Sequence, residues 1–585
     1  MALGARIASP WVRWRNRRRA RLARFGRVPN PAATLPEAIL LGDADRGQRL
    51  VSGVYPALGL DLPIPDSLWD LVPPRSAAGA RIEAERQSCL WLDDLAALGT
   101  RSAQALARNW AQDWIRRHGG GSGPGWTPEI AGRRAKRWAA HAGLLTRGLD
   151  PAEAARFWRA LAAHQRYLGA AWEEAPPGLA RLRALAGLVW IGRVLPRPDQ
   201  AELVAGFGEV AADYIGPEGE VASRAPEDLA EALILMIWTA RLLDDAGQRT
   251  TPDFLAALAR GVPVLRGLRF GDGTLARFHG GGPGSPERLD QALAELRLGG
   301  AQGKPRLAMG YARLAGGRAM LLMDGGDPPS APPPGPGALT AHAGALAFEM
   351  SLGRQPLIVN SGSGRGFGRD WAHLGRQTAA HSTVEVDGRS SARFEGRDLA
   401  ARVFGERLTS GPTLVSVRQA QDATGMWLLA TQDGYVASHG LLHERRIFVE
   451  ARGREVRGEE ILSVTDARAR DRFDRVAASG PVDLAARFHL HPGVGAELDP
   501  YRGAVALTLP DGEIWMFHTG GGAVEVEDSV YFDPARAEPI RTKQVVVRAE
   551  VVEYLGRITW SFARVEEAPR ARLEALGPLG PGIGA

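Results

Sequence analysis

Cysteine, lysine and long hydrophobic runs are all scarce in this 585-residue chain, and each shortage excludes a class of protein. The single cysteine, Cys89, excludes an internal disulfide framework and a zinc site built on several cysteines. No stretch reaches the ~18 uninterrupted apolar residues that a membrane-spanning helix requires. Lysine occurs only at Lys136, Lys304 and Lys543, so arginine carries most of the formal net charge of +6. Such a basic surface attracts an acidic polymer, either nucleic acid or an anionic polysaccharide.

The two ends of the chain differ from the rest. Residues 1–34 are basic and lack the apolar stretch of a secretory signal, so we expect a cytoplasmic protein, with the periplasm as the alternative. This segment is interpreted either as a disordered arm or as a peripheral helix that touches a membrane surface. Its arginines are Arg13, Arg15, Arg17, Arg18, Arg19, Arg21 and Arg24. The Gly- and Pro-rich tail at 577–585 is expected to be flexible.

Two large regions of different character lie between these ends, which predicts two domains. Residues 35–300 carry apolar residues at every third or fourth position, the pattern of amphipathic helices. Thr127, Asp150 and Thr251 each precede a proline and an early acidic residue, the chemistry that begins a helix. Residues 301–576 instead hold short Val-, Ile- and Thr-rich runs between Gly, Asp and Pro, the pattern of an antiparallel β-sandwich.

The most informative segment, 341–386, begins with AHAGALAFEMSLGRQPLIVNSG and ends within RQTAAHSTVEVDG. Two of the 12 histidines, His342 and His381, lie there at the edges of apolar, strand-like runs. An imidazole at the end of a strand is well placed to move a proton or to bind a metal ion. The alternative is a core histidine that is satisfied by a backbone carbonyl.

Several segments together resemble the heparinase II/III-like polysaccharide lyases. They are WLDDLAALG at 91–99, AHAGALAFEMS at 341–351, LIVNSGSG at 357–364, RQTAAHSTVEVDG at 376–388, HGLLHERRIFV at 439–449 and RFHLHPGV at 487–494. The resemblance implies an incomplete (α/α) toroid followed by a large antiparallel β-sandwich, with an acidic polysaccharide held between them. It also implies β-elimination, in which a base removes the uronate C5 proton, the carboxylate dianion is stabilised and the C4 oxygen departs.

The resemblance and the residue types together suggest a catalytic site. The candidates for proton transfer are His342, His381, Tyr311 and His279. The candidates for substrate binding are Arg224, Arg376, Ser223 and Glu349, with Arg365 and Arg369 as further arginines able to grip carboxylates or sulfates. As a base, Tyr311 would need its pKa of about 10 lowered by neighbouring arginines. The alternative for Tyr311 is packing at the edge of the sandwich.

The chain departs from the family pattern where the chemistry is carried out. Many relatives have an asparagine for carboxylate neutralisation in a loop of the toroid, and the matching stretch here, 219–226, has Ala225. Some relatives carry a second histidine where Thr340 stands, and an aspartate where this chain has Asn360.

A metal site is one interpretation of His342, Asn360 and His381, which match the ligands of zinc-bearing relatives. Two imidazoles and one amide form a weak zinc set, because a carboxylate or a third imidazole is usual. The interpretations are a structural zinc or calcium ion and a hydrogen-bonded polar network. The elimination itself requires no cofactor.

We expect a lyase that cleaves an acidic, uronate-containing polysaccharide or oligosaccharide. The alternative is a non-catalytic relative that binds acidic glycans and has lost the neutralising amide, which Ala225 favours. Nucleic acid is not expected as a partner, because that interpretation rests on the basic N-terminal arm and the net charge alone. The sequence leaves the oligomeric state open.

Overall fold

The computed structural model describes residues 10–36, 42–296, 307–329, 340–394, 406–499, 501 and 503–565. Helices form the first part of the chain and antiparallel sheets the second, so the predicted helical domain followed by a β-sandwich is confirmed. The predicted flexible tail at 577–585 lies outside the described residues.

The helical domain contains helices of very different lengths joined by short loops. They are α1 Pro10–Leu22, α2 Ala44–Val51, α3 Ala77–Gln87, α4 Leu90–Leu98, α5 Arg101–His118, α6 Pro128–Ala140, α7 Ala142–Thr146, α8 Pro151–Ala171, α9 Leu179–Val194, α10 Gln200–Tyr214, α11 Pro226–Asp244, α12 Pro252–Gly267 and α13 Pro286–Ala294. A small hairpin of β1 Val54–Ala57 and β2 Leu60–Pro63 follows α2.

The predicted helix caps are confirmed. Thr127 accepts a hydrogen bond from the main-chain N–H three residues on at 3.3 Å, and Thr251 does the same at 3.4 Å. Asp150 accepts from the two N–H groups that follow Pro151, each at 2.8 Å. These side chains satisfy donors that the first turn of a helix leaves without partners.

Tryptophan side chains fill the core of the helical domain. Four of them are at most 1% exposed: Trp91, Trp114, Trp138 and Trp190. The guanidinium of Arg134 lies 4.0 Å from the ring centre of Trp114 and donates to the Gln87 carbonyl at 2.8 Å. The buried cation is thereby stabilised by an aromatic face and by backbone oxygens.

The β domain contains two large antiparallel sheets. Its strands are β3 Tyr311–Gly316, β4 Ala319–Asp324, β5 Phe348–Leu352, β6 Gln355–Val359, β7 Val384–Val386, β8 Arg393–Phe394, β9 Leu408–Ser410, β10 Val415–Gln421, β11 Gly425–Gln432, β12 Leu442–Glu450, β13 Glu455–Ser463, β14 Val482–Leu490, β15 Gly495–Asp499, β16 Ala504–Thr508, β17 Ile514–Gly520, β18 Ala523–Tyr531, β19 Ile540–Val551 and β20 Leu555–Arg564. Short helices α14 Arg369–Leu374, α15 Val436–His439 and α16 Ala467–Ala477 interrupt them.

Sheet I has the strand order β18-β19-β14-β6-β5-β4-β3, with β7 also paired to β14. Sheet II has the order β10-β11-β12-β13-β20-β17-β16-β15. An aromatic core between the two sheets includes Phe348, Phe488, Phe517, Trp560 and Phe562. Because side chains alternate along a strand, one face of sheet II packs on this core while the other faces solvent.

Part of the basic N-terminal segment forms α1, which lies against the helical domain. Arg15 and Arg19 both pair with Glu174, at 2.6 and 2.5 Å. Trp11 and Trp14 on the same helix are 60% and 56% exposed. Within the described residues, every helix is too short or too polar to cross a bilayer.

Candidate active site

Three histidines meet where the helical domain contacts sheet I. His279 lies beside the glycine-rich turn 280–284, His342 in the loop before β5, and His381 shortly before β7. The ring centres of His279 and His342 are 6.3 Å apart, and those of His342 and His381 are 5.1 Å apart. All three side chains are buried. We call these three residues the histidine cluster.

Hydrogen bonds fix which ring nitrogens of the histidine cluster carry protons. His381 Nδ1 lies 2.7 Å from the Gln377 carbonyl, which can only accept, so this nitrogen is protonated. His381 Nε2 must then accept, and His342 Nδ1 donates to it at 3.0 Å. It follows that His342 Nε2 carries a lone pair, and no residue in the described part of the chain forms a hydrogen bond with it.

The lone pair of His342 Nε2 lies beside the position that a Cβ of residue 280 would occupy, which we call the space over Gly280. A Cβ atom built there would lie 3.6 Å from the Thr340 carbonyl oxygen, 3.7 Å from His342 Nε2 and 3.9 Å from Arg365 Nη2. Burial lowers the pKa of His342 well below its ordinary value, and the neighbouring His381 lowers it further, so the ring is neutral at pH 7. The space is therefore flanked by an unprotonated nitrogen and a guanidinium.

Arg224, a predicted substrate-binding residue, instead ties the loop before α11 to strand β4. Its guanidinium pairs with Asp324 and donates to the carbonyls of Met309 at 2.7 Å and Asp327 at 2.6 Å. His279 Nε2 also lies 2.8 Å from Asp324. Burial raises the pKa of Asp324, but Arg224 and His279 outweigh it and bring the pKa to about 2. The Arg224 side chain is engaged within the protein.

Tyr311, a predicted base or acid, is a packed residue of β3. Its hydroxyl donates to the Arg224 carbonyl, and its ring stacks on Phe278 with ring centres 5.0 Å apart. Burial raises the pKa of Tyr311 well above its ordinary value, although Arg224 opposes the rise. A basic role would require a lowered pKa, so the arrangement matches the packing alternative.

The loop 219–226 supplies no amide or charge to the space over Gly280. Ser223 Oγ donates to Asp228 at 2.7 Å and accepts from the Ala225 N–H at 3.3 Å, so it serves the start of α11. The Ala225 Cβ lies 3.5 Å from a Cβ built on Gly281. A longer side chain at position 225 would therefore reach the glycine-rich turn, which is where the absent asparagine would act.

Glu349 is held by main-chain and side-chain donors. It accepts from the Asn360 N–H at 2.9 Å, the Asn360 side-chain amide at 3.2 Å and the Arg277 N–H at 3.1 Å. Burial raises the pKa of Glu349, and Arg277 opposes the rise. The predicted substrate contact of Glu349 is thus replaced by a link between β5, the end of β6 and the 277 loop.

Arg376, the other predicted substrate-binding arginine, supports the loop that carries His342. Its Nε donates to the Ala341 carbonyl at 2.8 Å, and its Nη1 donates to the Glu406 carbonyl at 2.7 Å. Burial lowers its pKa to about 9, and the positive charge of Arg365 contributes to this shift. The two guanidinium groups thus place concentrated positive charge beside the histidine cluster.

The set His342, Asn360 and His381 does not fit a zinc or calcium ion. The two imidazoles hydrogen-bond to each other at 3.0 Å, and the Asn360 amide is engaged at both ends, by Glu349 and by the Ser382 N–H at 2.9 Å. Zinc would require a further imidazole or carboxylate, and calcium several free oxygen ligands. Among the described residues, no group of three His, Cys, Asp or Glu side chains is arranged to hold a metal.

Two residues that organise this site, Asp324 and Arg277, are not among the residues predicted from the sequence. Asp324 is a carboxylate at the end of the apolar strand β4, and this contrast was the signal that could have identified it. Arg277 donates its N–H to Glu349 and its guanidinium to the Asn360 carbonyl. No spacing distinguishes Arg277 from the many other arginines of the chain.

Comparison with known proteins finds the same architecture and one well-matched relative. The family profile described as "Heparinase II/III-like, C-terminal" matches residues 299–561. FtsZ-localized protein C of Caulobacter vibrioides (strain NA1000 / CB15N) is 32% identical over 539 residues, which cover 90% of this chain and 88% of that protein.

Solved structures of lyases share the fold. The crystal structure of heparinase III matches with a TM-score of 0.65 at 10% identity, over 95% of this chain and 90% of that one. Heparan sulfate lyase HepC of Pedobacter heparinus matches with a TM-score of 0.53 at 12% identity, over 95% and 88% of the two chains. At such identities the likeness establishes the arrangement of helices and strands.

Proposed function

This chain belongs to the heparinase II/III-like family, and we propose that it is a lyase that cleaves an acidic, uronate-containing glycan by β-elimination. One observation carries the proposal. His342 Nε2, with its lone pair, and Arg365 Nη2 border the same space over Gly280, at 3.7 and 3.9 Å from a Cβ built there. A base beside a cation is the smallest set of groups that β-elimination from a uronate needs.

The proposed reaction gives both of these groups a role. The uronate carboxylate lies against Arg365, whose charge stabilises the dianion that forms when C5 loses its proton. His342 Nε2 takes the C5 proton, the C–H electrons form the C4–C5 double bond, and the C4–O bond breaks. The imidazolium of His342 then returns the proton to the departing oxygen. Arg365 thereby replaces the amide that Ala225 does not supply.

His381 is a positioning residue in this scheme. Its Nδ1 proton is held by the Gln377 carbonyl at 2.7 Å, so its Nε2 accepts from His342 and keeps the lone pair of His342 on Nε2. A different tautomer of His342 would direct a proton, and no lone pair, toward the substrate.

A second candidate function is glycan binding without cleavage. It is favoured by Ala225, and by the Tyr311 hydroxyl, which donates its hydrogen bond to the Arg224 carbonyl. In this case His342 and Arg365 would recognise the uronate carboxylate and no double bond would form.

Ultraviolet absorbance of the unsaturated uronate product distinguishes the two functions across a panel of acidic glycans. We expect absorbance to rise with the wild type, and to rise about 10²–10⁴-fold more slowly with His342→Ala, the usual range for loss of a general base. His491→Asn is a matched control, because the amide can still accept from the Gly493 N–H that the imidazole binds at 3.3 Å. Arg369→Gln is the control for Arg365→Gln.

Two outcomes contradict the lyase proposal. The first is glycan binding by calorimetry without any rise in absorbance, which selects the binding protein. The second is a rise that His342→Ala leaves unchanged. A chelator is included in parallel, because sensitivity to it would contradict the metal-free scheme.

The Caulobacter relative supports a second proposal, which concerns where the protein acts. That protein is named for its localisation with FtsZ, and it aligns with 90% of this chain, across both domains. We propose that this chain also localises with FtsZ, from the cytoplasm. The test is a fluorescent fusion imaged in cells that carry labelled FtsZ, with co-localisation as the expected result. A uniform distribution of the fusion would contradict the proposal.

A further inference from the structure

A partly buried carboxylate beside the glycine-rich turn has no role in the proposed reaction. Glu227 lies in the first turn of α11, directly after Pro226. Its Oε2 accepts a hydrogen bond from the Gly282 N–H at 2.7 Å, the one hydrogen bond of this carboxyl among the described residues. Asp324, by contrast, pairs with a guanidinium and an imidazole. A carboxyl with a single neutral donor has much less to hold it in the ionised form.

Glu227 contacts the turn on the side where an amide at position 225 would act. A Cβ built on Gly281 would lie 3.5 Å from the Cβ atoms of both Ala225 and Glu227. A Cβ built on Gly282 would lie 3.3 Å from each carboxyl oxygen of Glu227. Gly280 and Gly282 are only two Cα steps apart, at most about 7.6 Å. The Glu227 carboxyl and the space over Gly280 therefore border the same short turn.

Arg365 approaches the turn near the same end of α11. Burial lowers the pKa of Arg365, and the negative charge of Asp228 opposes that fall, so the two side chains lie within electrostatic reach of each other. Asp228 follows Glu227 directly and is held by the Ser223 hydroxyl at 2.7 Å. A guanidinium and a carboxyl thus converge on the turn, and a uronate carboxylate has two oxygens to offer them.

The groups around Glu227 on α11 favour its protonated form. Burial raises the pKa of Glu227, and the charges of Glu231 and Asp228 raise it further, while the hydrogen bond from the turn opposes the rise. Glu231 lies one helical turn further along α11 and pairs with Arg183 at 3.0 Å and Arg288 at 3.2 Å. These cations are therefore engaged by Glu231.

The cation that acts on Glu227 from another helix is also engaged. Arg81 of α3 interacts with the charge of Glu227, but also with the charges of Glu85 and Asp533. Its guanidinium donates to two carbonyls of the loop 534–536. An arriving uronate carboxylate adds a further negative charge, which disfavours ionisation of Glu227 still more.

We propose that Glu227, in its protonated form, is a further substrate-binding residue that donates a hydrogen bond to the uronate carboxylate. This role rests on the proposed glycan function. The Glu227 O–H supplies the neutral donor that Ala225 lacks, while Arg365 contacts the other carboxylate oxygen. The hydrogen bond strengthens as the dianion forms, so it contributes to cleavage as well as to binding.

The first test is the pH profile of kcat/KM, measured between about pH 5 and 9 by the absorbance of the unsaturated uronate. Ionised Glu227 repels the uronate, so the wild type is expected to lose activity as the pH rises through the pKa of Glu227, by up to about ten-fold per pH unit. Glu227→Gln still accepts from the Gly282 N–H and donates an amide hydrogen, but it does not titrate. This variant is expected to stay active without the alkaline fall.

The second test removes the donor. Glu227→Ala is expected to lower kcat/KM by about 10–100-fold, the range for a hydrogen bond to a charged group. Glu287→Ala is the matched control, because Glu287 also follows the first-turn proline of a helix, α13, but is exposed. It should change kcat/KM by less than about two-fold. Circular dichroism and the melting temperature verify that each variant is folded.

Two results would overturn the role of Glu227 while the lyase stands. One is an alkaline fall that Glu227→Gln retains, and the other is equal activity of the Glu227→Ala and Glu287→Ala variants.

The lyase can also fail by itself, if the wild type forms no unsaturated product from heparan sulfate, hyaluronan or alginate. Calorimetry with the same glycans then tests Glu227. Binding that weakens with rising pH in the wild type, but not in Glu227→Gln, supports its role, and the same pH dependence in both proteins contradicts it. The absence of any glycan binding refutes both proposals.

Discussion

At the scale of single residues, the buried charges of this protein are held by several partners at once. Glu460 illustrates the point inside sheet II: it accepts from Arg445 Nε at 2.8 Å and from Trp560 Nε1 at 2.9 Å, and it lies 2.8 Å from His443 Nε2. Burial raises the pKa of Glu460, but Arg445 and His443 outweigh it and bring the pKa to about 2. A carboxylate with this many donors stays ionised in an apolar core.

Glu460→Gln is expected to destabilise the protein by about 3–5 kcal/mol, because it leaves Arg445 buried without its counter-charge. Urea unfolding at pH 7 measures the loss. Asp245→Asn is the control, since this carboxylate is 52% exposed beside Arg241 and its loss should cost less than about 0.5 kcal/mol. Equal costs for the two variants would show that the buried network is not a special source of stability.

A pH dependence follows from the buried histidines. Burial lowers the pKa of His381 to about 4 and that of His489 to about 3, from an ordinary value of 6.5. Below pH 6.5 the unfolded chain therefore binds protons that the folded chain does not. The stability from these residues is complete above about pH 6.5 and is lost as the pH falls toward 4, by up to about 1.4 kcal/mol per pH unit for each histidine.

Urea unfolding between pH 7.5 and 4.5 measures this loss, and His489→Gln is the matched variant. Glutamine can still donate to the Ala379 carbonyl that His489 Nε2 contacts at 3.0 Å, but it does not titrate. The variant is expected to show a shallower loss of stability below about pH 6.5. An unchanged slope would exclude His489 from the effect.

At the scale of elements, the sequence predicted the helices and strands well, because their signals are local. The Thr127, Asp150 and Thr251 caps and the 3.6-residue periodicity located the starts and faces of α6, α8 and α12. The short apolar runs predicted for the second domain include β3 and β4, which pair as an antiparallel hairpin. How closely two elements approach cannot be predicted from such local signals, because the approach depends on residues that are far apart in the chain.

Helices α6 and α9 illustrate this close approach, because they cross at two glycines. A Cβ built on Gly187 would lie 2.4 Å from the Gly132 carbonyl oxygen, so Gly187→Ala forces the helices apart and should destabilise the protein by about 1–3 kcal/mol. Gly206 in α10 has open space where its Cβ would lie, so Gly206→Ala should stabilise by about 0.5–1 kcal/mol. Opposite signs in urea unfolding are the expected result, and destabilisation by both variants would contradict the crossing argument.

At the scale of the whole molecule, the buried carboxylate of Asp324 is one of the links between the two domains, in addition to Glu349, which accepts from the Arg277 N–H. Asp324 at the end of β4 contacts Arg224 from the loop before α11 and His279 from the glycine-rich turn. The sequence analysis predicted a substrate-binding role for Arg224 and a proton-transfer role for His279. In the structure both side chains contact Asp324 and help to hold the helical domain against sheet I.

Asp324→Asn is expected to destabilise the protein by about 3–5 kcal/mol, because Arg224 loses its buried partner. The weakened bridge should also separate the domains in calorimetry, so that a broader or double transition replaces a single one. Asp528→Asn removes a 91% exposed partner of Lys543 and is expected to leave the transition unchanged. A single, unshifted transition in Asp324→Asn would refute the bridging role.

The sequence by itself determined the helical domain, the sandwich and the histidines that meet between them. Periodicity, caps and motifs are local signals, because each depends only on residues that are neighbours in the chain. Only the tertiary structure decided what those histidines and their companions do. Tyr311 and Arg224 are 87 residues apart, and their hydrogen bond exists only once β3 is packed against the loop before α11. The lone pair on His342 Nε2 likewise depends on a proton held at Gln377. The chemistry of a buried polar group is set by its partners, and those partners are brought together by packing and strand register.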